Sequence, residues 1–70
     1  MTRRRGTVRS FDERRGLGEI TADDGVVVPF HCTAIVDGSR RIDPGTRVEF
    51  DVVAGHFGRW EAAAIERSAA

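Results

Sequence analysis

The chain has 70 residues, which is enough for one domain spanning 1–70, with flexible ends expected at 1–4 and 68–70. Eleven basic and eleven acidic residues give a net charge of zero, which excludes a simple polycation that coats duplex DNA. No stretch is apolar and long enough to span a membrane, and no apolar run follows the basic start, as it would in a signal peptide. We therefore expect a cytoplasmic protein that does not associate with membranes.

The basic residues are unevenly placed along this neutral chain. All eleven are arginines, and six of them lie among the first fifteen residues. Such a distribution is able to give a neutral protein one basic face. For the run Arg3-Arg4-Arg5, two interpretations stay open: a solubilising tail, or contacts to phosphate groups that salt would screen.

Cys32 is the only cysteine, which excludes a disulfide framework and fits a reducing compartment. His31, Cys32 and His56 raise the idea of a zinc site, but two of them are adjacent and there is no second cysteine pair. Cys32 is poorly placed to act as a nucleophile together with His31, because neighbouring side chains on a strand point to opposite faces. We predict no enzyme, no cofactor and no bound metal.

Short runs rich in Val, Ile, Phe and Thr alternate with turn signals, a pattern typical of a small all-β sandwich or barrel. The turn signals are Arg15-Gly16, Asp23-Asp24-Gly25, Asp37-Gly38-Ser39, Asp43-Pro44-Gly45, Gly55 and Gly58. Asp24-Gly25 predicts a hairpin between the second and third strands. Pro29 lies inside a strand pattern and indicates an edge strand or a bulge, because proline cannot donate to the ladder.

Alternation with a period of two assigns the faces of the strands. The predicted inward residues of strands two to four are Gly18 and Ile20, then Val26, Val28 and Phe30, then Val48, Phe50 and Val52. The predicted outward residues are Leu17, Glu19 and Thr21, then Val27, Pro29 and His31, then Arg47, Glu49 and Asp51.

The first and last strands are less regular. Strand one places Val8 inward and Arg9 outward, and its alternation fails at Ser10-Phe11, as expected where a barrel strand bends. In strand five we expect Ala63 and Ile65 to point inward, with Trp60, Ala62 and Ala64 opposite. A helix over 60–70 competes with this strand, because Glu61-Ala62-Ala63-Ala64 has a high helix propensity.

Five segments, in order, resemble the motifs of the bacterial cold-shock protein family over about Arg5 to Arg67. They are Gly6-Thr7-Val8-Arg9-Ser10-Phe11, Arg15-Gly16-Leu17-Gly18-Glu19-Ile20, Val28-Pro29-Phe30-His31-Cys32-Thr33-Ala34-Ile35, Gly45-Thr46-Arg47-Val48-Glu49-Phe50 and Glu61-Ala62-Ala63-Ala64-Ile65. The resemblance implies an all-β fold, a five-stranded antiparallel barrel of the OB type. It also implies binding of single-stranded RNA or DNA, in which outward aromatic rings stack on bases and basic side chains follow phosphates.

Most of the outward rings of that family are replaced in this sequence. Ser10 stands for a tryptophan, and phenylalanines are replaced by Leu17, Glu19, Pro29, Cys32 and Ser39. The basic positions are kept as Arg9 and Arg15, and His31 and Phe11 are kept as well. The resemblance therefore implies a binding site with a basic rim and few stacking surfaces, and an affinity below that of a typical member.

From these residues we predict a nucleic-acid-binding module of low sequence selectivity, able to act as an RNA chaperone or a regulator of transcription or translation. The predicted binding residues are Arg9, Phe11, Arg15, Leu17, His31 and Trp60. For Trp60, a lid over one end of the barrel competes with an exposed stacking ring, and Phe57 is a second ring in the same loop. The alternative function is a protein-interaction module, with an apolar patch formed by Leu17, Val27 and Pro29.

Overall fold

The computed structural model describes residues 3–55 and 58–68. Its strands are β1 (Arg4–Asp12), β2 (Leu17–Ala22), β3 (Val27–His31), β4 (Arg47–Ala54) and β5 (Trp60–Arg67), and a 3-10 turn (Cys32–Ala34) follows β3. All neighbouring strands are antiparallel, in the order β3-β2-β1-β4-β5. The predicted all-β class is confirmed, and β5 excludes the competing helix over its own residues.

The sheet curls so that its two edge strands, β3 and β5, approach each other. Beyond the 3-10 turn, Ile35 forms a parallel bridge with Ile65, and the Val36 N–H donates to the Ile65 carbonyl at 3.0 Å. The curled sheet encloses one apolar core, which no buried charged side chain interrupts in the described ranges. Its buried members are Val8, Ile20, Ala22, Val28, Phe30, Ile35, Ile42, Val48, Phe50, Ala62 and Ile65.

The alternation predicted for β2, β3 and β4 is confirmed with one exception. The buried residues of these strands include Ile20, Phe30 and Phe50, and the predicted outward residues are exposed or half-buried. Val26 is the exception, because it precedes β3 in the hairpin turn and its side chain is 53% exposed. The hairpin itself is confirmed, with the Gly25 N–H donating to the Ala22 carbonyl at 2.8 Å.

Pro29 lies on an edge strand, as predicted, and its position explains why proline is tolerated there. The N–H of Cys32, three residues on, donates to the Gly16 carbonyl at 2.8 Å on the β2 side. Successive backbone amides of a strand point to alternate sides, so the nitrogen of Pro29 faces the free edge. Proline at this point removes a donor from the edge and discourages pairing with another strand.

The inward set predicted for β5 is confirmed at Ile65 but wrong at Ala63, because the strand contains a β-bulge. Glu49 pairs with Glu66 and Asp51 pairs with Ala63, so β5 has one residue more than β4 in this interval. The extra residue shifts the alternation by one position. Ala62, which pairs with the inward Val52, is therefore buried together with Ile65, whereas Ala63 is only half-buried.

Ala64 occupies the bulge with a positive φ of 49°, a conformation that side chains other than glycine rarely adopt. Arg3 spans the bulge from outside: its guanidinium donates to the carbonyls of Ala64 and Glu49, and it is ion-paired with Glu66. Near the two ends of the chain, Arg4 begins β1 and the Ser68 N–H donates to the Arg47 carbonyl at 2.9 Å.

The strain at Ala64 gives a test of this register. We expect Ala64→Gly to raise the free energy of unfolding by about 1 kcal/mol, because glycine adopts a positive φ without steric cost. The control Ala63→Gly, in the extended part of the same strand, should lower it by about 0.5–1 kcal/mol. Urea unfolding measures both. A destabilised Ala64→Gly variant would contradict the bulge.

Candidate nucleic-acid interface

The outward side of β1, β2 and β3 forms a surface of three cross-strand rows, which we call the outward face. Directly paired residues in antiparallel strands project to the same side of the sheet. The rows are Ser10–Glu19–Pro29, Asp12–Leu17–His31 and Thr7–Thr21–Val27. Two of the predicted site residues, Leu17 and His31, are thus direct cross-strand partners.

Arg9 reaches this surface because β1 contains a bulge. Val8 pairs with Ile20 and Ser10 pairs with Glu19, so Arg9 is the extra residue between them. Its side chain is exposed, and so is that of Ser10. The predicted loss of alternation in strand one is confirmed, and the bulge places an arginine beside the central row of the outward face.

Arg15 is held at one end of the outward face by the turn between β1 and β2. A carboxylate oxygen of Asp12 accepts hydrogen bonds from the N–H groups of Arg14 and Arg15 at 3.0 and 3.1 Å. Gly16 closes the turn with a φ of +68°, and a Cβ there would lie 2.9 Å from the Cys32 sulfur. This tight turn directs two arginines towards solvent and leaves Cys32 half-buried against it.

Phe11, one of the predicted binding residues, does not lie on the outward face. It pairs with the inward Gly18, and its ring packs against the core. The ring stacks on Phe30, with centroids 5.9 Å apart and planes inclined by 13°. Because Phe30 is 2% exposed, one side of the Phe11 ring is already occupied by protein and only part of it is open to solvent.

Trp60 is 64% exposed and so is not a buried lid over the barrel. It borders an open groove between β3 and the β4–β5 hairpin. The groove connects Trp60 and Arg59 with Glu19 and Pro29 of the outward face. A single nucleic-acid strand that lies across β2 and β3 is therefore able to continue to the indole ring. Phe57, the other predicted ring, lies outside the described residues.

The proposed apolar patch of Leu17, Val27 and Pro29 is interrupted in the structure. Leu17 and Val27 are 40% and 38% exposed, but their cross-strand pairs are separated by the pair Glu19–Pro29. A carboxylate therefore lies between the two aliphatic side chains. These aliphatic side chains therefore do not form one contiguous apolar patch, the kind of surface that marks partner-binding sites.

Six arginines are paired with carboxylates, so their charge is compensated locally. The Arg47 guanidinium contacts both carboxylate oxygens of Asp23 at 2.8 and 3.0 Å, which lowers the pKa of Asp23 and keeps it ionised. A hydrogen bond from the Ser39 N–H, assisted by the charge of Arg67, lowers the pKa of Asp37 in the same way. The paired arginines are Arg3, Arg4, Arg5, Arg41, Arg47 and Arg67. The N-terminal run Arg3-Arg4-Arg5 is thus bound to acidic residues of the sheet and its turns.

The remaining five arginines have no carboxylate of the described residues within 4.0 Å. They are Arg9, Arg14, Arg15, Arg40 and Arg59. Three of them belong to β1 and the β1–β2 turn, and Arg59 lines the groove. Arg14, Arg40 and Arg59 were not singled out by the sequence, because pairing with a carboxylate distant in sequence cannot be seen in the sequence itself.

Comparison with known proteins shows the family of the chain. The model of the "'Cold-shock' DNA-binding domain" family matches residues 4–68. The chain belongs to this family. It is 41% identical over 54 residues to Cold shock protein 2 of Lactiplantibacillus plantarum, covering 76% of this chain and 82% of that protein. It is 38% identical over 64 residues to Cold shock protein CspC of Bacillus subtilis, covering 90% and 96%.

Among solved structures, the chain is similar to drosophila Unr CSD456, with a TM-score of 0.78 and 32% sequence identity. The match covers 96% of this chain and 27% of that longer one. The resemblance to cold-shock proteins and the barrel-like OB fold predicted from the sequence are both confirmed. No helix in the described residues is long and apolar enough to cross a membrane.

In this cold-shock domain three of the six replaced aromatic positions form one row. Ser10, Glu19 and Pro29, which stand for three aromatic residues of the resembling motifs, are cross-strand partners. The adjacent row retains His31 opposite Leu17. The central stacking row is therefore lost as a unit, whereas the basic residues around it are kept.

The contrasting environments of Phe11 and Trp60 predict different effects on stability. We expect Phe11→Ala to lower the free energy of unfolding by about 2 kcal/mol or more, because it removes a ring that packs against Phe30 and the core. Trp60→Ala should change it by only about 0.5 kcal/mol, as for most exposed side chains. Thermal unfolding followed by circular dichroism compares the stabilities of the two variants. An equal loss of stability in both would contradict the placement of one ring or the other.

Proposed function

We propose that this cold-shock domain binds single-stranded RNA or DNA along the outward face and into the groove that leads to Trp60. In this proposal Arg9, Arg15 and Arg59 contact phosphates. Leu17, His31 and Trp60 contact bases, whereas Phe11 supports the face through its packing against Phe30 and the core. The observation that carries the proposal is the distribution of the unpaired arginines, several of which border this one surface.

The physical chemistry of these arginines favours a single nucleic-acid strand as the partner of the outward face. An arginine already paired with a carboxylate gains little from a phosphate, because the carboxylate competes for the same donors. An unpaired guanidinium has its donors available and releases counterions from the nucleic acid on binding. Since the net charge of the protein is zero, binding depends on these local charges rather than on a general attraction.

The loss of the central aromatic row predicts modest affinity. Stacking on an aromatic ring contributes about 1–3 kcal/mol per base, so replacing three rings removes several kcal/mol of binding free energy. Phosphate contacts then supply a larger share of the total, and affinity should fall steeply with salt. We propose a cytoplasmic setting for this activity, which the free thiol of Cys32 suits.

The direct test is a fluorescence anisotropy titration with a labelled single strand of mixed sequence, about ten nucleotides long. We expect binding at low salt that weakens on addition of salt, accompanied by quenching of Trp60, the only tryptophan. A double-stranded version of the same sequence should bind less well, because its bases are not accessible to the face. Absence of binding at low salt would contradict the proposal and favour the protein-interaction alternative.

The distinction between paired and unpaired arginines predicts different effects of the same charge change. We expect Arg15→Gln to weaken binding by roughly three- to tenfold, and to reduce the salt slope by about 0.7 through loss of one phosphate contact. The control Arg67→Gln removes an arginine already bound to Asp37, and should change affinity by less than about twofold. Equal effects of the two variants would show that only net charge matters.

The lost stacking surface should be partly recoverable. Leu17→Phe restores one ring next to His31, and we expect affinity to increase by roughly fivefold or more, the equivalent of one base stack. Val36→Phe is a matched control, because Val36 is 57% exposed but lies beyond the 3-10 turn, outside the three rows. If both variants bind equally well, the gain is not due to stacking on the outward face.

A further inference from the structure

The central residue of the outward face, Glu19, carries a carboxylate whose oxygens are available for hydrogen bonds. Glu19 lies on β2, the middle strand of the face, between Ser10 of β1 and Pro29 of β3. Its side chain is exposed, and the Ser10 hydroxyl is 3.5 Å from one of its oxygens. That distance is at the limit of a hydrogen bond, so the contact leaves the acceptor capacity of the carboxylate almost unused.

The other acidic residues of the described ranges are engaged differently. Eight of them are ion-paired with arginine: Glu13, Asp23, Asp24, Asp37, Asp43, Glu49, Asp51 and Glu66. Asp12 accepts two backbone N–H groups in the β1–β2 turn, and Glu61 also has a partner. Among these contacts of the described residues, the Glu19 carboxylate has neither an arginine nor a backbone N–H as a partner. Arg9, which has no ion pair among them, is the sequence neighbour of Ser10, the cross-strand partner of Glu19.

We propose that Glu19 reads the base that occupies the central row and selects guanine over thymine or uracil. This rests on the proposed function, because it assigns a preference to the same surface. A carboxylate is an acceptor only, and its two oxygens match a pair of adjacent donors. Guanine presents such a pair on its Watson–Crick edge, the N1–H and the exocyclic N2 amino group.

Thymine and uracil offer a poor match to the same group. Their Watson–Crick edge has one N–H flanked by two carbonyl oxygens, which the carboxylate repels. Cytosine and adenine have one amino group beside a ring acceptor, and fall between the two extremes. The small side chain of Ser10 and the ring of Pro29 leave the carboxylate accessible from above, and no bulky aromatic side chain in the row covers it.

The neighbouring arginine is suited to the remaining edge of the same base. Arginine donates to the O6 and N7 acceptors of guanine, the commonest specific contact of this side chain with a base. Arg9 is exposed, has no carboxylate of the described residues within 4.0 Å, and is next to Ser10 in the β1 bulge. Its guanidinium has five donors, so those that a phosphate contact leaves unused are available to this edge of the base. Replacement of the aromatic row thus exchanges sequence-tolerant stacking for hydrogen-bonded base selection.

The test compares three single-stranded probes of about seven nucleotides: all thymidine, the same strand with one central guanine, and the same strand with inosine in its place. Inosine lacks only the exocyclic amino group of guanine. We expect the guanine probe to bind roughly tenfold more tightly than the all-thymidine probe, the usual discrimination of a bidentate contact, with inosine in between. Equal affinity for all three probes would overturn the inference while leaving the proposed function intact.

Two variants assign the preference to Glu19. Glu19→Gln keeps the size of the side chain but replaces one acceptor by a donor, so the guanine preference should fall below about twofold. The control Glu13→Gln makes the same charge change in the β1–β2 turn, and should alter all three probes equally. A guanine preference that survives Glu19→Gln would overturn the assignment. Failure of the parent to bind any of the probes would overturn the proposed function as well.

Discussion

The curvature of the five-stranded sheet is the constraint on which the core and the outward face both depend. A flat sheet of this length would leave β3 and β5 apart and the core open between them. Two bulges, at Arg9 in β1 and at Ala64 in β5, add one residue each and increase the local bend and twist. The curl brings Ile35, which follows the 3-10 turn, to Ile65 of β5.

The same irregularities determine which polar groups are available at the surface. The β5 bulge exposes the carbonyl of Ala64, and Arg3 is used to bind it. The β1 bulge turns Arg9 to solvent beside the row of Ser10, Glu19 and Pro29. Pairing therefore compensates the charge of the N-terminal arginines, and leaves a smaller set of arginines without a carboxylate partner among the described residues.

Much of the fold could be predicted from the sequence, because the signals are local. Alternation in β2 to β4, the Asp24-Gly25 hairpin and the edge position of Pro29 follow from short-range rules. The inward set of β5 could not be predicted, since a bulge at an alanine has no glycine or proline to mark it. High helix propensity in the same alanines was overridden by pairing with β4.

The candidate site was less predictable than the fold. Leu17, His31 and Arg9 lie where the alternation placed them, but Phe11 turns inward because it pairs with Gly18 rather than projecting with Leu17. Contacts between distant parts of the chain decide which arginines are ion-paired with a carboxylate. They also decide that Glu19 has no arginine partner among the contacts of the described residues. Arg3 and Glu66, or Arg67 and Asp37, are matched only by the folded sheet.

The central claim is that single-stranded nucleic acid binds where the arginines are unpaired. The most direct measurement is NMR mapping of amide shifts in the isotope-labelled protein during titration with a single strand. We expect the largest changes at Arg9, Glu19 and His31 and at the Trp60 indole, and little change at the paired Asp37 and Arg67. Shifts confined to the ion-paired residues of β4 and β5, or none at saturating strand, would contradict it.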